Sequence, residues 1–443
     1  MKIQLSDHFT YGRLLRFTLP SIVMMIFTSV YGVVDGIFVS NFAGKVAFTA
    51  VNLIMPYLMV FGTLGFMLGT GGTALISMTL GMGDKKKANE LFSMLTLVCV
   101  AGGAVLTVLS LIFLRPAAIL LGAEGEILEN AVLYGTIVQS ALIAYILQFA
   151  FQSFCIAAEK PNLSLWMTVA AGVSNMVLDA IFVAVFRWGL VGAAVATAAA
   201  QILGAVIPLV YFARPNTSLL RFCRCSFDGK ALLRACTNGS SELMSNVSMS
   251  LVSMLYNLQL LRYAGEDGIA AYGVIMYVNF IFIAVFIGFS IGTAPLIGFN
   301  HGADNRVELK GIFFKSLVIL TVVSLAMTAG ALLLSRPLAA VFVGYDAELM
   351  EMTVGGFRIY ILSFLLCGFN IFGSSMFTAL NNGLISALIS FIRTLVCQIA
   401  AVLLLPLIFD LEGIWISVVA AELVALVLTG VCLVKFRGRY HYA

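Results

Sequence analysis

The chain has 443 residues, of which 61% are hydrophobic and 10% charged, with a formal net charge of +4 and a mean hydropathy of +1.05. A water-soluble core of this length cannot hide that much apolar surface, so the composition excludes a soluble globular domain and indicates a polytopic membrane protein. Residues 1–11 are of mixed polarity and lack the basic, apolar and small-residue pattern of a cleaved signal, so the first apolar segment is expected to direct insertion.

Twelve apolar segments are drawn, at 13–42, 47–79, 91–114, 127–158, 162–186, 189–213, 236–264, 268–299, 308–334, 347–380, 384–409 and 412–436. Several exceed the roughly 20 residues needed to cross a bilayer, which implies tilt. In the first segment, Thr28, Tyr31 and Asp35 fall on one helical face, beside the small-residue pair Gly32 and Gly36. Pro20 either bends this helix or stands near its start, where proline costs little. The fifth segment carries Asn175 and Asp179 one turn apart, and Asp179 is its only ionisable residue before Arg187. A carboxylate near the middle of a membrane helix is disfavoured by about 3 kcal/mol. Two such acids without a local base point to protonation or cation binding. The plain alternative is that Asp35 and Asp179 only hydrogen-bond helices together. Proton exchange and sodium coordination, the latter with Asn175 and hydroxyls such as Thr197, are equally open.

The polar stretch 214–235 reads as a cytoplasmic linker between an N-terminal six-helix lobe, 1–213, and a C-terminal one, 236–443. In the second half, Asn257 falls close to the position of Asp35, and Ala400 and Ala401 near that of Asp179. That half instead carries Glu242, Arg393 and Glu422, from which a Glu–Arg ion pair or a substrate contact can be built.

The two halves repeat. Gly72-Thr73-Ala74 with Asp84 recurs as Gly292-Thr293-Ala294 with Asp304, Arg115-Pro116 as Arg336-Pro337, Gly122 with Glu126 as Gly344 with Glu348, and Gly192 with Gln201 as Gly413 with Glu422, at offsets between 220 and 222. Collinear matches at one drifting offset indicate duplication. Six helices per unit is an even number, so both copies enter the membrane the same way, as parallel repeats whose substrate site lies near the midplane. Eighteen of the 25 basic residues, among them Lys2, Lys85, Lys86, Lys87 and those of the linker, then fall on the side of the termini. The positive-inside rule makes that side cytoplasmic, in a cell (inner) membrane. No loop interleaves basic and aromatic residues, so no nucleic-acid partner is expected.

The eight cysteines read as free thiols; Cys223-Arg224-Cys225 lacks metal-site spacing and a nearby histidine. Only three histidines exist, and no hydrolase, phosphate-loop or haem motif is present, so an enzyme is not expected.

The string Tyr31-Gly-Val-Val-Asp35-Gly-Ile-Phe38, with Asn175-xxx-Asp179, Gly189-Leu-Val-Gly192-Ala-Ala-Val-Ala-Thr197 and Gly292-Thr-Ala-Pro-Leu-Ile-Gly298-Phe-Asn300, resembles the multidrug and toxic compound extrusion (MATE) transporters over nearly the whole chain. The resemblance implies an all-α membrane protein with two six-helix bundles in a V, monomeric, exporting amphipathic, often cationic compounds against protons or sodium and using no cofactor. A lipid-linked saccharide flippase of the same superfamily is the alternative. Asp35, Asn175, Asp179 and Thr197 match the N-lobe polar cluster of the damage-inducible (DinF-like) branch, and Pro20 its bending first-helix proline. The other branch places cation-binding acids in helices seven and ten; Glu242 suits the first, but segment ten has acids only at its outer mouth. Glu242 and Arg393 are also similar to residues of a bacterial multidrug-exporting subgroup. Tyr31, Pro20, Glu242, Arg393 and Asn257 complete the residues expected to contact substrate or couple the lobes.

Overall fold

The computed structural model describes residues 3–344 and 346–443, so Lys2 lies outside it. The described secondary structure is entirely helical: α1 (Tyr11–Phe38), α2 (Lys45–Gly81), α3 (Lys85–Leu120), α4 (Gly125–Ser140), α5 (Leu142–Ala157), α6 (Pro161–Asp179), α7 (Gly189–Ala213), α8 (Gly229–Gly302), α9 (Arg306–Val343), α10 (Ala347–Tyr360), α11 (Phe364–Ala379), α12 (Gly383–Phe391), α13 (Gln398–Leu404) and α14 (Pro406–Tyr440). Ten helical stretches are long and apolar enough to cross a bilayer, and α4 with α5, bent by 57°, makes an eleventh span. The twelfth rod is the first half of α8, 229–264, where Asn238, Ser240, Ser241, Glu242 and Asn246 dilute the hydropathy. A glycine in a left-handed conformation, Gly265 at φ 62°, then turns α8 directly into its second half without a loop.

The duplication is visible in matched contacts. Arg115 pairs with Glu129 at 2.6 Å and Arg336 with Glu351 at 2.9 Å, at the same end of the two lobes. Asp84 caps α3 by accepting from the Lys87 N–H, and Asn305 caps α9 by accepting from the Glu308 N–H. The structural counterpart of Asp84 is therefore Asn305, one residue beyond the Asp304 matched by sequence; Asp304 pairs with Arg306 at 3.0 Å instead. The helix α8 starts at Gly229, earlier than the segment read from hydropathy, because Asp228 caps it through the Ala231 N–H.

Both chain ends meet the start of α9. Lys315 donates to the Phe9 carbonyl, and the Tyr442 ring packs 5.1 Å from Phe313. At this same end the lobes are closed by a seam of small residues. A Cβ on Gly71 of α2 would stand 2.6 Å from the Gly239 nitrogen of α8, and one on Gly239 would stand 2.6 Å from the Met67 carbonyl carbon. The approach of α1 to the second half of α8 is as close, with Gly288 against Ser21 and Ile22. Residues 3–10 strap across the closed end. The Leu5 N–H donates to Glu159 of the first lobe at 2.7 Å, while Glu308 of the second accepts the Phe9 N–H and meets His8 Nδ1, each at 2.7 Å. Leu5 and Phe9 are fully buried under the strap.

Glu308→Ala leaves the buried Phe9 N–H unpaired and is expected to lower stability by about 1–3 kcal/mol. His8→Ala, whose side chain is 69% exposed, should change little. Thermal unfolding in detergent measures both.

Candidate functional site: a cavity between the lobes

Beyond the closed seam lies a cavity of about 890 Å³, a size suited to a drug-like molecule. Its wall comes mainly from the first lobe: Thr28, Tyr31 and Asp35 of α1, Asn52 and Met55 of α2, Tyr134 and Gln139 of α4, Gln148 of α5, Asn175 of α6, and Thr197 and Gln201 of α7. The second lobe adds Met249, Ser250, Ser253, Tyr277, Phe280 and Phe342. Among the described lining residues none is Lys or Arg, and Asp35 is the acid.

The polar cluster is placed by a break in the apolar core. On α6, Asn175 and Asp179 lie between Met167, which belongs to one apolar cluster, and Val183, just past the helix, which belongs to another. On α7, Thr197 lies between Ala194 and Ala205 of the same two clusters. Each acid also sits close to a π-helical turn: α1 runs into one at Val39–Ala43, and α6 ends at Asp179 against one at Ala180–Val185. Such turns interrupt the regular ladder and recur at functional sites.

Asp35 is 8% exposed and Asp179 is fully buried, and their carboxyls come within hydrogen-bonding range of each other. Such a bond exists only when one of the two carries a proton. Among the described residues, Asp35 Oδ1 and both Asp179 oxygens meet no donor, nor has the Asn175 Nδ2 an acceptor. The phenol of Tyr134, fully buried, stands by the Thr197 hydroxyl and near both acids. The sequence reading missed Tyr134, because a single tyrosine in an apolar span carries no periodic signal. It also passed over Gln148 and Gln201 as site residues, although amides in apolar spans were a usable one.

The remaining candidates lie elsewhere. Pro20 stands well inside α1, which starts at Tyr11, so it is not the cheap first-turn proline; it precedes the Ser21–Ile22 contact with Gly288. Tyr31 lines the cavity, its ring 6.0 Å from Phe27. Glu242 lies on α8 outside the cavity lining, its carbonyl accepting from Asn246 at 2.8 Å. Asn257 is exposed and away from the cavity. Arg393 does not reach the cavity either. Its guanidinium is locked on Glu422, Nε at 2.9 and 3.0 Å from the two carboxylate oxygens, and Asn370 Nδ2 donates to Glu422 Oε2 at 2.8 Å. Of the arginine's two sequence-level partners the fold thus selects Glu422, not Glu242, because α14 presents it beside the π turn Ile392–Cys397.

Comparison with known proteins agrees with the duplicated frame. The MatE family model matches twice, over residues 20–181 and 243–404. The chain belongs to the MatE family. The MATE frame extends to curated relatives: the chain is 24% identical to the multidrug export protein MepA of Staphylococcus haemolyticus over 97% of its own length and 94% of the relative's. It is also 24% identical to MepA of Staphylococcus aureus (strain MSSA476), over 94% and 92%. Among solved structures, an outward-facing MATE transporter of the MOP superfamily superposes with a TM-score of 0.93 at 22% identity, covering 99% of this chain and 98% of the other. A MATE in complex with MaL6 gives 0.92 at 23% identity, with the same coverage. These likenesses establish the architecture of twelve membrane helices in two bundles.

Breaking a buried ion pair strands a charge. Arg393→Met is expected to cost about 3–5 kcal/mol, and Arg393→Met with Glu422→Leu to recover most of it, as read by thermal unfolding of the purified single and double variants.

Proposed function

We propose that the protein is a secondary antiporter that exports amphipathic, cationic compounds in exchange for protons or sodium. The single observation that carries the reading is the facing pair Asp35 and Asp179, unpaired by any base among the described residues, with Asp35 at the wall of a large cavity that has no lining Lys or Arg among them and Asp179 buried behind it. When the pair holds a proton or a metal cation, its charge is satisfied. When it releases that ion, the cavity turns negative and favours an organic cation. Each occupant stabilises a different opening of the lobes, so the two are exchanged rather than carried together. Asn175, Thr197 and Tyr134 supply polar groups around the pair, and Pro20 gives α1 a weakened point next to its crossing with α8.

The multidrug-export names of the MepA relatives support this cargo class. The concentration of basic residues at the end holding both termini supports a cytoplasmic placement of that end. The saccharide-lipid flippase is not favoured, since a cavity with no lining Lys or Arg among the described residues is a poor receptor for a pyrophosphate-linked cargo.

Asp179→Asn should abolish gradient-driven export of a fluorescent cation from vesicles energised with either a pH or a sodium gradient. Export by this variant at the wild-type rate, with or without the gradient, would falsify the reading.

A further inference from the structure

The second lobe holds a clue to what the first lobe binds. Helix boundaries set the register between them. The α4–α5 span runs from Gly125 to Ala157, and the α10–α11 span from Ala347 to Ala379, a constant shift of 222. The starts of α6 and α12, Pro161 and Gly383, keep the same shift. On α7 and α14, Gly192 and Gly413 stand 221 apart. In this register Gln148 corresponds to Asn370, Ala171 to Arg393, and Gln201 to Glu422.

In the second lobe these three positions form one closed unit. The Arg393 guanidinium fills the space between the helices, Glu422 accepts from it at 2.9 Å, and Asn370 supports Glu422 at 2.8 Å. In the first lobe all three positions line the cavity. A methyl group at Ala171 stands where the second lobe has its long cationic arm. Gln201 Oε1 is buried with no donor among the described residues. Gln148 is 3% exposed and lies against α7 one turn from Gln201, so close that a Cβ on Gly204 would stand 2.8 Å from its Oε1. The second lobe has the shorter Asn370 and a real methyl at Ala425 in the matching places, as the same steric constraint requires.

We infer that the space vacated by the arginine, between Gln148, Ala171 and Gln201, is a subsite of the cavity for a hydrogen-bond-donating nitrogen of the cargo. The inference rests on the reading of this cavity as the cargo site. The carboxylate of the second lobe is replaced here by an amide, so the subsite offers acceptor oxygens without charge. It therefore takes a neutral N–H donor, such as an arylamine, rather than a guanidinium. Gln201 is one turn along α7 from Thr197, about 6 Å, so the donor group of the cargo sits apart from the polar cluster that holds the carboxyl pair. The subsite thus selects elongated cations with an amino group set apart from the charge. A burial cost already present in the empty protein, the unmet Gln201 oxygen, is relieved when such a group arrives.

The test is equilibrium binding to purified full-length protein in detergent, without any gradient, using ethidium, which carries arylamine donors, and tetraphenylphosphonium, which carries none. Gln201→Met, close in volume, is expected to lower the ratio of ethidium to tetraphenylphosphonium affinity about tenfold, the value of one lost hydrogen bond at a buried acceptor. Gln201→Glu recreates the carboxylate of the second lobe and should raise the affinity for a diamidine dye about tenfold. Equal loss of both cations in Gln201→Met, an unchanged ratio, or no ethidium binding by the wild type overturns the subsite. Gradient-driven uptake measured in parallel separates the two readings. Uptake that persists with an unchanged ratio removes the subsite alone; a shifted ratio with no gradient-driven uptake removes the antiport reading and leaves the subsite standing.

Discussion

Two carboxyl groups facing each other in an apolar interior cannot both be charged and bare. At about 4 Å and an effective dielectric near 20, their repulsion is about 4 kcal/mol, before the cost of taking either from water is counted. The helices around Asp35 and Asp179 bring them no base and no donor to their free oxygens among the described residues. In the proposed antiport, an ion that enters and leaves meets that demand. The cavity beside the pair, closed at the end of the chain termini by strap and seam, gives an ion and a cargo a common place to act.

The second lobe met the same kind of demand differently. Its buried carboxylate, Glu422, is satisfied permanently by Arg393 and Asn370. Duplication therefore yielded one lobe with an internal counter-ion and one that lacks it. The C-terminal lobe holds its own ion pair, and the N-terminal lobe leaves its carboxyl oxygens without a donor among the described residues. Alongside this asymmetry, the cavity draws most of its wall from the first lobe, the second contributing Met249, Phe280, Phe342, Tyr277 and two serines. Along the cavity wall, the 57° break at Ala141 separates Tyr134 and Gln139 from Gln148.

Much of the architecture was legible in the chain. Long apolar runs and collinear matches such as Arg115-Pro116 with Arg336-Pro337 gave the spans and the parallel repeat, because bilayer crossing and duplication both leave marks along the sequence. The acid pair was legible for a similar reason: Asp35 and Asp179 are conspicuous in apolar surroundings. The junction within α8 was not, since a turn made by Gly265 alone leaves no loop to read. Nor was the partner of Arg393, because Glu242 and Glu422 are equally suitable until packing chooses between them. Tyr134 joined the cluster only through the packing of α4 against α7, a long-range contact that no local spacing encodes. The cap at Asn305 shows that a repeat matched by residue identity can slip by one position where the role, not the residue, is kept.

The central claim is that cargo and coupling ion compete for the charge of one carboxyl pair. Its most direct measurement is ion release on cargo binding: tetraphenylphosphonium is added to weakly buffered, purified protein, with a pH-sensitive dye reporting protons and affinity compared with and without sodium. The account predicts either a proton released for each cation bound or an affinity weakened by sodium, and loss of that linkage in Asp35→Asn. Cation binding that releases no proton and is indifferent to both pH and sodium would contradict it.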